Sequence, residues 1–220
     1  RAVLVVSAHW YIAHAAVTAM PRPRTIHDFY GFPDELFAVE YPAPGAPDVA
    51  AEVAEVVKPR WVGLDVDQWG IDHGTWSVLK PMFPKADIPV VQLSMDYSRA
   101  PAEHYALGQQ LNKLRTRGVL IVGSGNIVHN LRVIRRGVAD TEAYDWAREF
   151  DTTVQEQIKK GQLHVLQDFL ALGNVARLAH PTHEHYLPLL YAAGAASPAE
   201  MPRFFNTGFQ SASISMRSVL

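Results

Sequence analysis

The sequence predicts a single α/β domain, residues 1–220: a central, mostly parallel twisted sheet with helices on both faces and an antiparallel hairpin closing the C-terminus. Three observations carry this. Short Val-rich apolar runs alternate with segments of helical period, the pattern of β and α elements in succession. Each apolar run ends in a polar or glycine-rich loop, and in such sheets ligands collect at those carboxyl ends. With 48% hydrophobic and 19% charged residues, the 220 positions supply one sizeable core, and no linker, repeat or low-complexity tract marks a second domain.

Residues 2–7 (AVLVVS) form a continuous apolar run, which predicts a strand buried on both faces with His9 and Trp10 in the loop that follows. Residues 17–20 read as a second short strand. Prolines and glycines at 21, 23, 31, 33, 42, 44, 45 and 47 then break regular structure, and an irregular stretch of that length in a compact domain serves as a lid or binding loop. Residues 48–57 have helical spacing with Asp48 as the capping region after Pro47, and 62–66 alternate as a strand. Residues 69–74 are turn-rich and lead into a short helix through Leu79, closed by Pro81 and Pro84. Residues 89–95 and 118–122 are further buried strands flanking an amphipathic helix over 102–115. Helices are expected over 143–160, 163–172 and 184–195, and a hairpin between 204–209 and 211–219.

Composition removes several function classes. Twenty basic against 22 acidic residues, a net charge of -2, leave no general basic field for a phosphate backbone, so nucleic acid is not an expected partner. No apolar run approaches the ~20 residues of a bilayer span and no signal-peptide pattern is visible, which predicts a soluble cytoplasmic protein with no membrane partner. Cysteine is absent, excluding disulfides, thiolate nucleophiles, Cys-ligated zinc and iron–sulfur clusters; a metal must sit on His, carboxylate or water. The chain opens Arg1-Ala2-Val3 already inside an apolar run and without Met, so residues upstream are expected.

The ten histidines are the remaining signal. His9 lies at a strand end beside Trp10, where one ring nitrogen can hold a metal while the other is fixed by an acceptor; a lone His in such a place more often packs or titrates. His129 stands near the end of the glycine-rich segment Gly123-Ser124-Gly125-Asn126-Ile127-Val128-His129-Asn130, whose small residues admit close backbone approach, to a ligand or simply to other backbone. The segment lacks the Lys of a phosphate loop. His183, Glu184 and His185 are expected in the first turn of a helix, where adjacent side chains diverge by about 100°, so that only one of Glu184 and His185 aims at a given metal. There Glu184 would equally complement the helix dipole. His27-Asp28 and Asp72-His73 each place a carboxylate next to an imidazole in sequence. His14, His104, His164 and His180 read as surface or packing residues, and Ser124 is not in the Gly-x-Ser-x-Gly elbow of a hydrolase.

Taken in order, Ser7-Ala8-His9-Trp10, Ile26-His27-Asp28-Phe29 with Gly31-Phe32-Pro33, Tyr41-Pro42-Ala43-Pro44-Gly45, Trp69-Gly70-Ile71-Asp72-His73-Gly74-Thr75-Trp76, Pro89-Val90-Val91-Gln92-Leu93-Ser94, Gly123 through Leu131 and Glu184-His185-Tyr186-Leu187-Pro188 resemble the LigB-type (class III) extradiol aromatic ring-opening dioxygenases, most closely the DOPA 4,5-dioxygenase branch. The likeness runs from the first residue to Met216. It implies a small aromatic diol such as L-DOPA and O2 as substrates, and a non-haem site holding Fe(II) in the working enzyme and often found with Zn(II). By position it implies His9 and His185 as metal ligands, Glu184 as the fallback ligand, and His129 as the acid/base residue, itself within metal range. The resemblance also implies a further ligand His on a strand before Ser7-Ala8-His9-Trp10, so that either such a strand precedes Arg1 or the site is incomplete. His183 receives no role, while His27, His73, Trp10 and Tyr186 are the expected pocket wall. Two other readings of the same imidazoles stand beside it: a metal-binding protein of this fold without turnover, and a zinc hydrolase working through metal-bound water.

Overall fold

The computed structural model describes residues 1–197 and 199–220. Strands β1 (Ala2–Ile12), β2 (Ala16–Thr18), β3 (Gly63–Asp65), β4 (Val90–Asp96) and β5 (Val119–Ser124) form one sheet in the order β3-β2-β4-β1-β5. β1 pairs in parallel with β4 and β5, placing Val3 between Val90 and Leu120, and β2 pairs in parallel with β3. The β2–β4 junction, Val17 opposite Leu93, is antiparallel. The mostly parallel sheet expected from the buried apolar runs is therefore present.

Helices α1 (Asp34–Phe37), α2 (Pro47–Val56), α3 (His73–Met82), α4 (Pro101–Arg115), α5 (Asp145–Lys159), α6 (Asn174–Ala179) and α7 (Leu187–Ala195) connect and cover it. Because strand side chains alternate, β1 feeds two cores. Leu4 and Val6 join the larger core with Val53 of α2, Leu111 of α4, Phe150 of α5 and Leu190 of α7. Val3 and Val5 join the smaller one with Tyr41, Ile71, and Trp76 and Leu79 of α3. Helices thus lie on both faces. Among the described residues no helix is long and apolar enough to cross a membrane.

Several boundaries differ from expectation, each for a local reason. β1 does not stop at Ser7: it runs to Ile12 with an irregularity between Val6 and Tyr11, so His9 and Trp10 sit in the irregular part of the strand instead of a following loop. Such bulges re-aim side chains. The last long helix begins at Leu187, not at Glu184, because Pro188 has no N–H to donate and is tolerated only in a first turn. His183, Glu184 and His185 consequently occupy the approach to the helix. Asp48 is in the first turn of α2 rather than capping it, since Pro47 takes the first helical position after Ala46. α3 continues through Pro81 to Met82. Residues 163–172 form a kinked 3₁₀ segment instead of an α-helix, while the short helices α1 and α6 had no periodic signal.

The closing hairpin is a nested pair of two-residue ladders: β6 (Phe204–Phe205) with β9 (Ser218–Val219), and β7 (Phe209–Gln210) with β8 (Ile214–Ser215). It is tied to α5 by the buried Asp151 carboxylate, which accepts from Arg217 Nη2 at 2.6 Å and from Ser215 Oγ at 2.6 Å. The hairpin also backs the segment after β5, because Ser215 N donates to Val128 O at 3.0 Å and Asn130 N to Ser213 O at 3.1 Å. These contacts fix the backbone on either side of His129.

Candidate active site

Four elements bring imidazoles into one row. His9 comes from β1, His73 opens α3, His129 follows β5 and His185 precedes α7. Ring centroids are 3.9 Å apart for His73 and His9, 5.2 Å for His9 and His185, and 3.5 Å for His185 and His129, whose rings stack within 5° of parallel.

Asp28, from the long irregular stretch, joins one end of the row. Its Oδ1 accepts from the His73 backbone N–H at 2.9 Å and lies 2.9 Å from His73 Nδ1, out of line for a hydrogen bond from the ring; its Oδ2 lies 3.5 Å from His9 Nδ1. His9, Asp28 and His73 each offer a metal-binding atom within 4.8 Å of the others. Burial works to raise the Asp28 carboxyl, but the His73 ring and backbone outweigh it and hold the group below its ordinary value. Asp28 is the site residue that the motif reading missed as a partner for His9. Its signal was a carboxylate inside a stretch expected to be a binding loop.

Neither Asp28 nor Asp72 serves the imidazole next to it in the pairs His27-Asp28 and Asp72-His73. Asp72 caps α3, accepting from Thr75 N at 2.9 Å and from the Gln92 amide, and burial pushes its carboxyl up. His27 turns to Val39 O at 2.8 Å and packs among Phe29, Phe37 and Trp76. Gly74 lets α3 start so close to β1: a Cβ there would stand 2.6 Å from Ser7 Oγ and 2.7 Å from His9 Cδ2. Ser124 Oγ donates to Gly74 O at 2.6 Å and locks the end of β5 to the same turn.

At the other end, a Cβ on Gly125 would run into the His185 carbonyl oxygen, and Asn126 N donates to that oxygen at 2.9 Å. The glycine-rich turn therefore makes room for the protein's own His185 backbone. Glu184 Oε1 accepts from Thr182 Oγ1 at 2.8 Å and lies 3.3 Å from His185 Nδ1. Burial works to raise the Glu184 carboxyl, yet hydrogen bonds from His185, its own backbone and Thr182 bring it down to about 2. It is ionised near neutrality.

Glu184 thus hydrogen-bonds at His185 Nδ1, which favours Nδ1–H there and leaves Nε2 with its lone pair, while the Asp28 carboxylate stands 3.5 Å from His9 Nδ1. Burial, then the neighbouring His73 and His185, lowers His9 to about 4; burial, then His185 and His180, lowers His129 to about 3. These imidazoles are neutral at pH 7, as metal binding and proton acceptance require. Two imidazoles, His9 and His185, with carboxylates beside them are a donor set that suits a divalent metal.

Of the expected wall residues, His73 lies in the row and His27 one aromatic layer behind it. Phe29 packs edge-on against His73 at 5.3 Å and links it to Phe32 and Phe37. Trp10 and Tyr186 are not brought to the row. Trp10 is 4% exposed and stacks on Trp69 at 5.5 Å. Tyr186 is 1% exposed, donates its hydroxyl to Leu166 O at 3.1 Å, and packs against Phe150, Phe169 and His180. His183 rests against Phe169 at 5.5 Å.

Residues 1–218 match the family described as the catalytic LigB subunit of aromatic ring-opening dioxygenase. The chain belongs to the LigB family. A relative from Escherichia coli K12 named 4,5-DOPA dioxygenase extradiol is 45% identical across 100% of this chain and 81% of its own length. One of the same name from Mirabilis jalapa is 36% identical over 89% of this chain and 73% of its own. The crystal structure of an Escherichia coli K12 protein, JW3007, described as uncharacterized, superposes with a TM-score of 0.82 at 40% identity, covering 99% of this chain and 84% of that one. As a LigB-family member the chain is an enzyme of the extradiol ring-opening dioxygenase type, a metal-dependent class.

Proposed function

We propose that this chain opens the ring of a catechol bearing an amino-acid side chain, such as L-DOPA, with both atoms of O2 entering the product. The observation that carries the reading is the pair of imidazoles, His9 and His185, each with a carboxylate beside Nδ1, with the His129 ring stacked 3.5 Å from that of His185. The names of the relatives from Escherichia coli and Mirabilis jalapa support the choice of substrate class.

His9 and His185 would hold the metal through Nε2, Fe(II) in the working enzyme and Zn(II) accepted by the same donors. Asp28 and Glu184 act on their Nδ1 sides and orient them; in this reading Glu184 serves His185 instead of the metal. When bound, Fe(II) supplies Lewis acidity toward the diol oxygens and redox chemistry with O2. His129, neutral because it is buried among other imidazoles, accepts a proton from a catechol hydroxyl at a ring nitrogen and returns it as the ring opens. Proton transfer of this kind contributes roughly 10²–10⁴-fold. Phe29, with His73 and His27, forms the wall against which the aromatic ring is oriented and water excluded. Trp10 and Tyr186 contribute only through the residues they pack on.

The test is oxygen uptake by the full-length protein, loaded anaerobically with Fe(II), on addition of L-DOPA and other catechols. Uptake with a new visible absorbance is expected. Stoichiometric Fe(II) binding without uptake from any catechol would overturn the reading and leave a metal-binding protein of this fold.

A further inference from the structure

The loop that presents His129 and the turn that presents His185 are joined by a set of bonds with a further buried imidazole at its centre. Asn126 N donates to His185 O at 2.9 Å, His129 N to Ala179 O at 3.0 Å, and Asn130 Nδ2 to Leu178 O at 2.7 Å. Between these rungs, His180 Nε2 lies 2.7 Å from Ile127 O. A carbonyl only accepts, so Nε2 carries the proton and Nδ1 the lone pair. His180 Nδ1 is buried with no partner among the described residues.

The ring is 1% exposed and enclosed by Tyr186 at 5.2 Å, Phe150 at 5.5 Å and Phe169 at 6.1 Å. An apolar side chain of similar volume would fill this aromatic nest without stranding a nitrogen. What the imidazole adds is the bond to Ile127 O, two residues before His129. We propose that His180 is a positioning residue: it clamps residues 126–130 to the 180–186 turn so that the His129 ring stays stacked on His185. This rests on the assignment of His129 to proton transfer and His185 to the metal.

His180→Gln and His180→Met separate the clamp from the packing. The two side chains are close in length and volume, and only Gln carries an amide N–H that reaches Ile127 O. Each full-length variant is assayed for Zn(II) affinity by competition with a chromophoric chelator, for kcat and KM with L-DOPA after Fe(II) loading, and for its thermal midpoint. The Met variant is expected to lose roughly 10–100-fold in Zn(II) affinity and in kcat, with KM little changed, while Gln restores most of both.

Equal affinity and kcat in the two variants at equal stability would reduce His180 to a spacer and overturn the proposal. If the Met variant does not fold, His180→Phe replaces it; failure of both to fold would make His180 a core residue and overturn it equally. Absence of turnover in the unmodified protein would strike the proposed function, and the Zn(II) comparison would still decide the clamp.

Discussion

Asp28→Asn tests whether a carboxylate behind His9 prepares it for a metal. The side chain is 15% exposed, with one oxygen 3.5 Å from His9 Nδ1 and the other accepting the His73 backbone N–H at 2.9 Å. Asn keeps the shape and can still accept that N–H, so the change removes charge with little else. Two full unit charges at 3.5 Å would interact by about 5 kcal/mol at an effective dielectric of 20. A metal-bound imidazole carries only part of a unit on its Nδ1 side, and the amide oxygen retains some acceptor strength. The expected loss is therefore about 1.4–2.8 kcal/mol, or roughly 10–100-fold in Zn(II) affinity. Chelator competition on the wild type, Asp28→Asn and Asp28→Ala reads it directly, with thermal midpoints to establish that all three are folded. Unchanged affinity would refute the orienting role. Abolished binding in both variants would also refute it, because Asp28 would then be a ligand in its own right, as its place within 4.8 Å of His9 and His73 donor atoms permits.

His129→Ala should bind Zn(II) as the wild type does while losing roughly 10²–10⁴-fold in ring-opening turnover; full turnover would sink its proton-transfer role. Gly74→Ala gains helix propensity of about 1 kcal/mol but sets a Cβ 2.7 Å from His9 Cδ2, so chelator competition should record weakened metal binding, and unaltered affinity would mean that the α3–β1 approach relaxes freely. Burial holds His104 and His180 at about 4, so below about pH 6.5 the unfolded chain binds protons that the folded chain refuses. Stability is then present above the unfolded pKa of about 6.5 and lost as pH falls toward 4, by about 2 kcal/mol for each residue at pH 5. Urea midpoints of the metal-free protein between pH 7 and 5 should fall accordingly, less steeply in His104→Gln; a flat profile would contradict neutral burial.

What was legible in the sequence had local causes. The buried strands follow from unbroken Val-rich runs, and α4 and α5 from long apolar periodicity. Where a single residue outweighed the period, as Pro188 does at the start of α7, the boundary moved. The row of His9, His129 and His185 was reached through motif order over the whole chain, since each of these histidines alone fits a packing role as well. Pairings between side chains were legible only in part: Glu184 does face its neighbour His185, but adjacency in sequence misdirects the pairs His27-Asp28 and Asp72-His73. Asp72 stands beside His73, but a helix cap must turn its carboxylate onto Thr75 N, which leaves His73 to a carboxylate from a different loop.

The same cause explains the wall. Trp10 and Tyr186 adjoin His9 and His185, and consecutive residues of an extended chain or a turn point in different directions. Trp10 therefore meets Trp69, and Tyr186 descends to Leu166 O. Trp10 and Tyr186, although next to His9 and His185 in sequence, are consequently poor candidates for touching the substrate. The side chains that do meet the row from other segments are Asp28 and Phe29, carried there by a loop whose prolines and glycines deny it regular structure. That loop can follow the contour of the site because no ladder or helical period dictates where its side chains point. Substrate discrimination is therefore to be sought in Phe29 and its partners Phe32 and Phe37, where Phe29→Leu should alter KM among catechols without altering Zn(II) affinity.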